Sequence, residues 1–153
     1  GKTMCSLCSR LRRGALYDYA RKNGFNKLAL GHHREDVLET FMMNLFFNGK
    51  LEAMPAKYRT DDDSQEVIRP KVNSKEEDIA KYAKFKSFPI IPCNLCGSQE
   101  GLQRQLIKEM MIKWEEAYLD RKEIMLTALK NVHQSHLLDP KAIDFLALNS
   151  IPG

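Results

Sequence analysis

The chain has 153 residues, 43% hydrophobic and 29% charged, with a net charge of +4. That length supports a single domain with its own core, and no apolar run approaches the roughly 18 residues that cross a bilayer. Four cysteines in a chain with no hydrophobic targeting segment point to metal or redox chemistry in the cytoplasm rather than to secreted disulfides. The start at Gly1-Lys2-Thr3, without an initiator methionine, reads as processed or truncated.

The first predicted element is a helix from Ser6 to about Gly24. Leu7, Leu11, Ala15, Leu16 and Tyr19 recur at helical spacing, and Asn23-Gly24 supplies a stop. The stretch from Lys27 to Gly31 is short and mostly apolar, which suits a buried strand feeding a glycine turn. A second helix is expected from Arg34 or Glu35, with Val37, Leu38, Phe41, Met42, Leu45 and Phe46 on its apolar face and Asn48-Gly49 at its end. Asp61-Asp62-Asp63-Ser64 separates two short extended stretches, at 57–60 and 66–69, and predicts a hairpin or mobile loop. Ser74 and Glu77 form the pattern of a capping box for a helix reaching about Lys86. Pro89 and Pro92 hold 88–92 extended. Ser98 is expected to cap a long helix to about Tyr118, with Leu102, Leu106, Met110 and Trp114 on one stripe. A further helix covers about 122–132, and a short one follows Pro140. Helix, strand, helix and a helical tail describe part of an α/β domain with few strands.

Two C-x-x-C pairs stand far apart: Cys5-Ser6-Leu7-Cys8 and Cys93-Asn94-Leu95-Cys96. Each pair can grip one metal or cluster, and folding that joins the pairs completes or nearly completes its coordination. Structural zinc, an iron–sulfur cluster and redox-active thiols all remain open on spacing. A zinc ribbon, however, separates its pairs by about 15–20 residues, and here most of the chain intervenes.

The second constellation runs Leu30-Gly31-His32-His33-Arg34-Glu35-Asp36-Val37-Leu38-Glu39-Thr40. A strand ends, and polar residues gather where the next helix begins. In open α/β sheets that crevice binds ligands, and a helix N-terminus favours phosphate. Asp36 and Glu39 suit a nucleotide or Mg²⁺; the same acids also complement a helix dipole, and the two histidines also fit a satisfied polar turn. Arg10, Arg12 and Arg13 crowd one turn, and Arg104, Lys108 and Lys113 recur later. Such clusters suit a polyanion or a solvated helix face.

Taken together these strings resemble the tRNA 2-thiocytidine biosynthesis proteins (TtcA family), over nearly the whole chain. The resemblance rests on Cys5-Ser6-Leu7-Cys8-Ser9-Arg10-Leu11-Arg12-Arg13-Gly14, on Gly31 to Thr40, and on Val67-Ile68-Arg69-Pro70. It continues through Phe88 to Gln99, Leu102-Gln103-Arg104-Gln105, Ser135-His136-Leu137 and Asp139-Pro140. It implies an α/β fold that is a partial PP-loop domain with a helical C-terminal region. It implies an ATP-dependent sulfurtransferase, soluble and cytoplasmic, that thiolates a cytidine in the tRNA anticodon loop. A [4Fe-4S] cluster held by three cysteines is implied at Cys5, Cys8 and Cys93, with Cys96 standing aside and one iron open for sulfide. ATP and Mg²⁺ contacts are implied at His32, Asp36 and Glu39, with Asp36 catalytic. Arg10, Arg12, Arg13 and Arg104 become tRNA phosphate contacts, a cysteine desulfurase or similar donor supplies sulfur, and a homodimer is expected.

One departure is plain. The family's Ser-Gly-Gly-Lys-Asp-Ser pyrophosphate motif, which lies upstream of the first cysteine pair, is absent from the sequence. The chain is therefore expected to be the C-terminal part of a longer protein and inactive alone. Two alternatives stand beside this reading: a zinc-stabilised tRNA-binding module, and a cluster-free PP-loop enzyme such as a lysidine synthetase.

Overall fold

The computed structural model describes residues 4–90 and 99–139, with side chains over 10–90 and 102–139. Helix α1 spans Met4–Lys22 and closes at Gly24, whose φ of +71° places it in the left-handed region that glycine enters at no steric cost. The N–H of Phe25 then donates to the Ala20 carbonyl at 2.9 Å, which satisfies one of the helix's terminal acceptors. Strand β1 (Lys27–Ala29) leads into α2 (Arg34–Met43), which passes into a π turn at Asn44–Asn48 and stops at left-handed Gly49. Strands β2 (Lys57–Arg59) and β3 (Glu66–Ile68) follow, then α3 (Glu76–Phe85), α4 (Gln99–Ala117), α5 (Arg121–Lys130) and a single 3-10 turn at Gln134–His136.

Among the described residues the sheet has three strands in the order β1-β3-β2. β1 runs parallel to β3, with Leu28 opposite Val67, and β2 is antiparallel to β3, with Tyr58 opposite Val67. The 57–69 stretch is thus the expected hairpin. Its turn is ordered by Thr60 and Ser64, whose hydroxyls donate to Asp62 at 2.6 and 2.8 Å and pull that carboxyl down to about 2. The parallel pairing needs a crossover, and the chain from α2 through β2 supplies it, with α2 packed against α4 and α5.

The core sits between helices. Leu38 is fully buried and gathers Val37, Met42 and Met43 of α2 with Ile107 and Met111 of α4 and Leu126 of α5. On α4 this differs from the expected stripe, since Leu102 and Leu106 are 65% and 59% exposed. The period is right, but the buried row is 107/111, one residue further round, because that row faces α2 and α5. Helix α1 departs similarly. Leu11 and Tyr19 are exposed and only Ala20 is buried among its described side chains, because α1 touches the sheet chiefly along β1.

The cap of α3 also differs. Its flanking residue is Lys75, not Ser74, and no side chain of its own caps it. Glu35 of α2 instead accepts the Glu76 N–H at 2.8 Å, while the Arg34 N–H donates to the Ser74 carbonyl at 3.0 Å. The two helix N-termini are thereby stitched together. The helix expected after Ser98 is α4, whereas Ser98 itself and the short helix expected beyond Pro140 lie outside the described residues.

Candidate functional site

At the carboxyl end of β1 the chain leaves the sheet through Leu30, whose N–H still pairs with the Ile68 carbonyl at 2.9 Å. Gly31 follows without a positive φ, and a Cβ there would meet nothing within 4 Å, so neither strain nor crowding demands glycine at this bend. His32, His33 and Asp36 then line a cleft of about 550 Å³, closed on the other side by Arg12, Arg13 and Leu16 of α1 and by Met54 and Arg69. This is the crevice that strand order and helix polarity favour for ligands.

Arg69 organises the cleft. Its Nε–H donates to His32 Nδ1 at 3.2 Å, its Nη1 donates to the Pro55 carbonyl, and its guanidinium lies 5.3 Å from the centre of the Tyr58 ring. A guanidinium can only donate, so Nδ1 of His32 must offer its lone pair and the ring proton sits on Nε2. Burial, and then the Arg69 charge, lower the His32 pKa. His32 is therefore a neutral N–H donor beside the cleft. Nothing in the sequence marked Arg69 for this task beyond its place in the Val67-Pro70 string.

Asp36 accepts the His33 N–H at 2.9 Å through Oδ2, which holds the first turn of α2. The His33 ring lies between carboxylates, with Nε2 3.3 Å from Asp36 and Nδ1 3.4 Å from Glu35. Burial would raise the Glu35 carboxyl, but bonds from the Arg34 guanidinium and the Glu76 N–H outweigh it and hold the group below the usual carboxylate range. Glu35 and Arg34 thus belong to the scaffold beneath the cleft.

Glu39 and Arg104, expected on the nucleotide and on tRNA, are brought to each other. Arg104 Nη1 donates to Glu39 Oε2 at 3.0 Å, and Glu39 is buried. Burial pushes the Glu39 carboxyl up, and Arg104 only partly offsets this. Removing Arg104 leaves a buried acceptor unpaired, so Arg104→Met is expected to cost about 1–3 kcal/mol at neutral pH. A raised carboxyl stabilises the fold below its unfolded pKa and loses that contribution as pH rises through the folded value. The deficit of the variant should therefore shrink on acidification, as urea unfolding across pH would show.

Of the arginines expected on tRNA phosphates, Arg12 and Arg13 line the cleft, whereas Arg10 is exposed on α1 outside it. Cys5 and Cys8 stand one turn apart on the same helix, and Cys8 precedes Arg12 by a further turn, about 6 Å of rise. Cys93 and Cys96 lie outside the described residues. Among the described residues no three His, Cys, Asp or Glu side chains converge on one point. The sequence carries cysteines in two C-x-x-C pairs, a donor type that both iron–sulfur clusters and zinc take.

Strand, turn and helix with a ligand cleft at the strand's carboxyl end are the parts of a nucleotide-handling α/β domain. The PP-loop domain matches residues 6–114, and the chain belongs to that family. Over 97% of its length it is 64% identical to the tRNA-cytidine(32) 2-sulfurtransferase of Cytophaga hutchinsonii, of which it covers 52%. The enzyme of the same description from Methylococcus capsulatus is 58% identical over 99% of this chain and is covered to 52%. The chain spans about half the length of the curated relatives it matches. In fold it is similar to the U34-tRNA thiolase NcsA from Methanococcus maripaludis with its [4Fe-4S] cluster, with a TM-score of 0.64 at 20% identity, over 88% of this chain and 46% of that one.

Proposed function

We propose that the full-length protein carrying this chain is an ATP-dependent tRNA sulfurtransferase that forms 2-thiocytidine in the anticodon loop. The observation that carries this reading is the cleft that joins His32, Asp36, Arg12, Arg13 and Arg69 at the carboxyl end of β1, in a chain so similar to cytidine sulfurtransferases. The exocyclic oxygen of cytidine is a poor leaving group. In this reading it attacks the α-phosphorus of ATP, and pyrophosphate departs. Hydrosulfide then adds at C2, and AMP leaves with the former cytidine oxygen.

The chain's own residues serve that sequence by position and charge. Neutral His32 offers an N–H donor to a phosphate or carbonyl oxygen without adding charge. Arg12 and Arg13 supply the cations that polyphosphate and the RNA backbone need. Asp36, the carboxylate that lines the cleft, would meet Mg²⁺, an ion that takes one or two carboxylates together with phosphates and water. Cys5, Cys8 and Cys93 would hold a [4Fe-4S] cluster, which when bound supplies an iron free to carry sulfide. Because Cys5 and Cys8 share α1 with Arg12 and Arg13, one helix would serve the cluster and the cleft. The pyrophosphate loop comes from outside this chain, a cysteine desulfurase supplies sulfur, and the enzyme works as a cytoplasmic homodimer.

Metal analysis of the anaerobically purified full-length protein tests this directly. Iron with labile sulfide is the expected result. Stoichiometric zinc without sulfide would instead support a zinc-stabilised RNA-binding module.

A further inference from the structure

Beside the cleft lies a second one, of about 380 Å³, whose walls include Arg13, Tyr17, Tyr58, Thr60 and Arg69, with Asp61 the carboxylate among them. The two share Arg13 and Arg69. They differ in chemistry. The first is lined by histidines and Asp36, while the second presents two aromatic rings fixed to each other by a 3.1 Å bond between their hydroxyls. The Tyr17 segment is held in turn by Gln65, a buried amide that donates to the Tyr17 carbonyl at 3.0 Å. The volume falls within the range, roughly 300–1,000 Å³, of pockets that take small organic groups.

The shared wall is the informative feature. Arg69 is engaged by His32, Pro55 and Tyr58 and forms a fixed partition. Arg13 has no ion pair or hydrogen bond to any described residue, although it borders both clefts. Consecutive nucleotides of a single strand occupy two places and share one phosphate. Unstacked RNA bases are held on aromatic faces and arginine planes, and an unpaired arginine suits the phosphate between two such places.

We infer that the smaller cleft is a subsite for the base of the nucleotide next to the target cytidine, with Arg13 on the phosphate that joins them. The inference rests on the proposed tRNA-thiolating function and adds to it the residues that present the target. Tyr58 is the stacking surface, and Arg69 separates neighbour from target.

The test is equilibrium binding of the full-length protein to an anticodon stem-loop, intact or with an abasic residue 5′ or 3′ of the target cytidine. Tyr58→Ala should weaken binding of the intact RNA about 5- to 150-fold, the range expected for one stacked base. One of the two abasic RNAs should lose as much on the unaltered protein, and Tyr58→Ala should add nothing to that loss. Tyr58→Phe keeps the aromatic face and should keep most of the affinity. Arg13→Ala should weaken both RNAs and reduce the salt slope by about 1. ATP affinity should not move with Tyr58→Ala. Losses that multiply for both abasic positions would overturn the subsite, as would a Tyr58→Ala effect on ATP alone, which would put a free nucleotide there. If the unaltered protein binds no stem-loop, the functional reading falls with it. Binding without coupling removes the subsite only, and the abasic arm on the unaltered protein decides even if Tyr58→Ala misfolds.

Discussion

Arg34→Ala is expected to cost the fold about 3–5 kcal/mol, the range for breaking a buried ion pair from one side. Arg34 and Glu35 are both buried, and the guanidinium donates twice to Glu35 Oε1, at 2.7 and 3.1 Å. The Arg34 contact to Glu123 adds little, because that carboxylate is 54% exposed. What dominates is Glu35 left charged in a dry place, still bound to the Glu76 N–H at the start of α3. Replacing both members by methionine should recover part of the loss. It would not recover all, since the Glu76 N–H would then lack its acceptor. The pH dependence follows from the direction of the Glu35 shift. A depressed carboxyl contributes stability above its unfolded pKa and loses it as pH falls through the folded value. Without Arg34 only backbone N–H bonds oppose burial, and Glu35 protonates more readily. The gap between the proteins should therefore be widest near neutrality and narrow on acidification, in chemical unfolding followed by circular dichroism.

Replacing Cys5, Cys8 or Cys93 by alanine in the full-length protein is expected to remove iron and labile sulfide together and to abolish thiolation. Cys96→Ala should retain the iron. In the proposed ligation three thiolates would leave one iron of the cluster open, losing any of the three would leave too few to hold it, and Cys96 would stand outside the resting set. Equal loss of iron in all four variants would replace this unequal ligation with four-thiolate coordination.

Local chemistry was legible in the sequence where short-range rules govern it. Asn23-Gly24 and Asn48-Gly49 end helical segments because glycine alone enters the left-handed region freely, and both glycines do so. The hairpin at 57–69 was legible for a related reason, a turn rich in Asp and Ser between short extended stretches. What escaped was long-range. Which row of α4 is buried depends on where α2 and α5 lie, so Ile107 and Met111 carry the contact that the Leu102 stripe suggested for itself. Ser74 looked like a cap, but Glu35, distant in sequence, meets that helix end. In the site, His32 and Asp36 were legible from strand, turn and helix polarity. Arg69 was not, because its contacts with His32, Pro55 and Tyr58 come together only when β3 pairs beside β1. Glu39 and Arg104 each looked like a ligand contact, and neither neighbourhood reveals that the two pair.

The activity proposed for the protein that carries this chain is cluster-dependent thiolation of a tRNA cytidine. Nucleoside mass spectrometry of tRNA, after anaerobic incubation with the full-length protein, ATP and sulfide, tests it most directly. The predicted result is 2-thiocytidine that requires ATP, is absent with Cys93→Ala, and is not made by residues 1–153 alone, which lack the Ser-Gly-Gly-Lys-Asp-Ser loop. No thiolated cytidine from the intact protein, or undiminished product from Cys93→Ala, would contradict it.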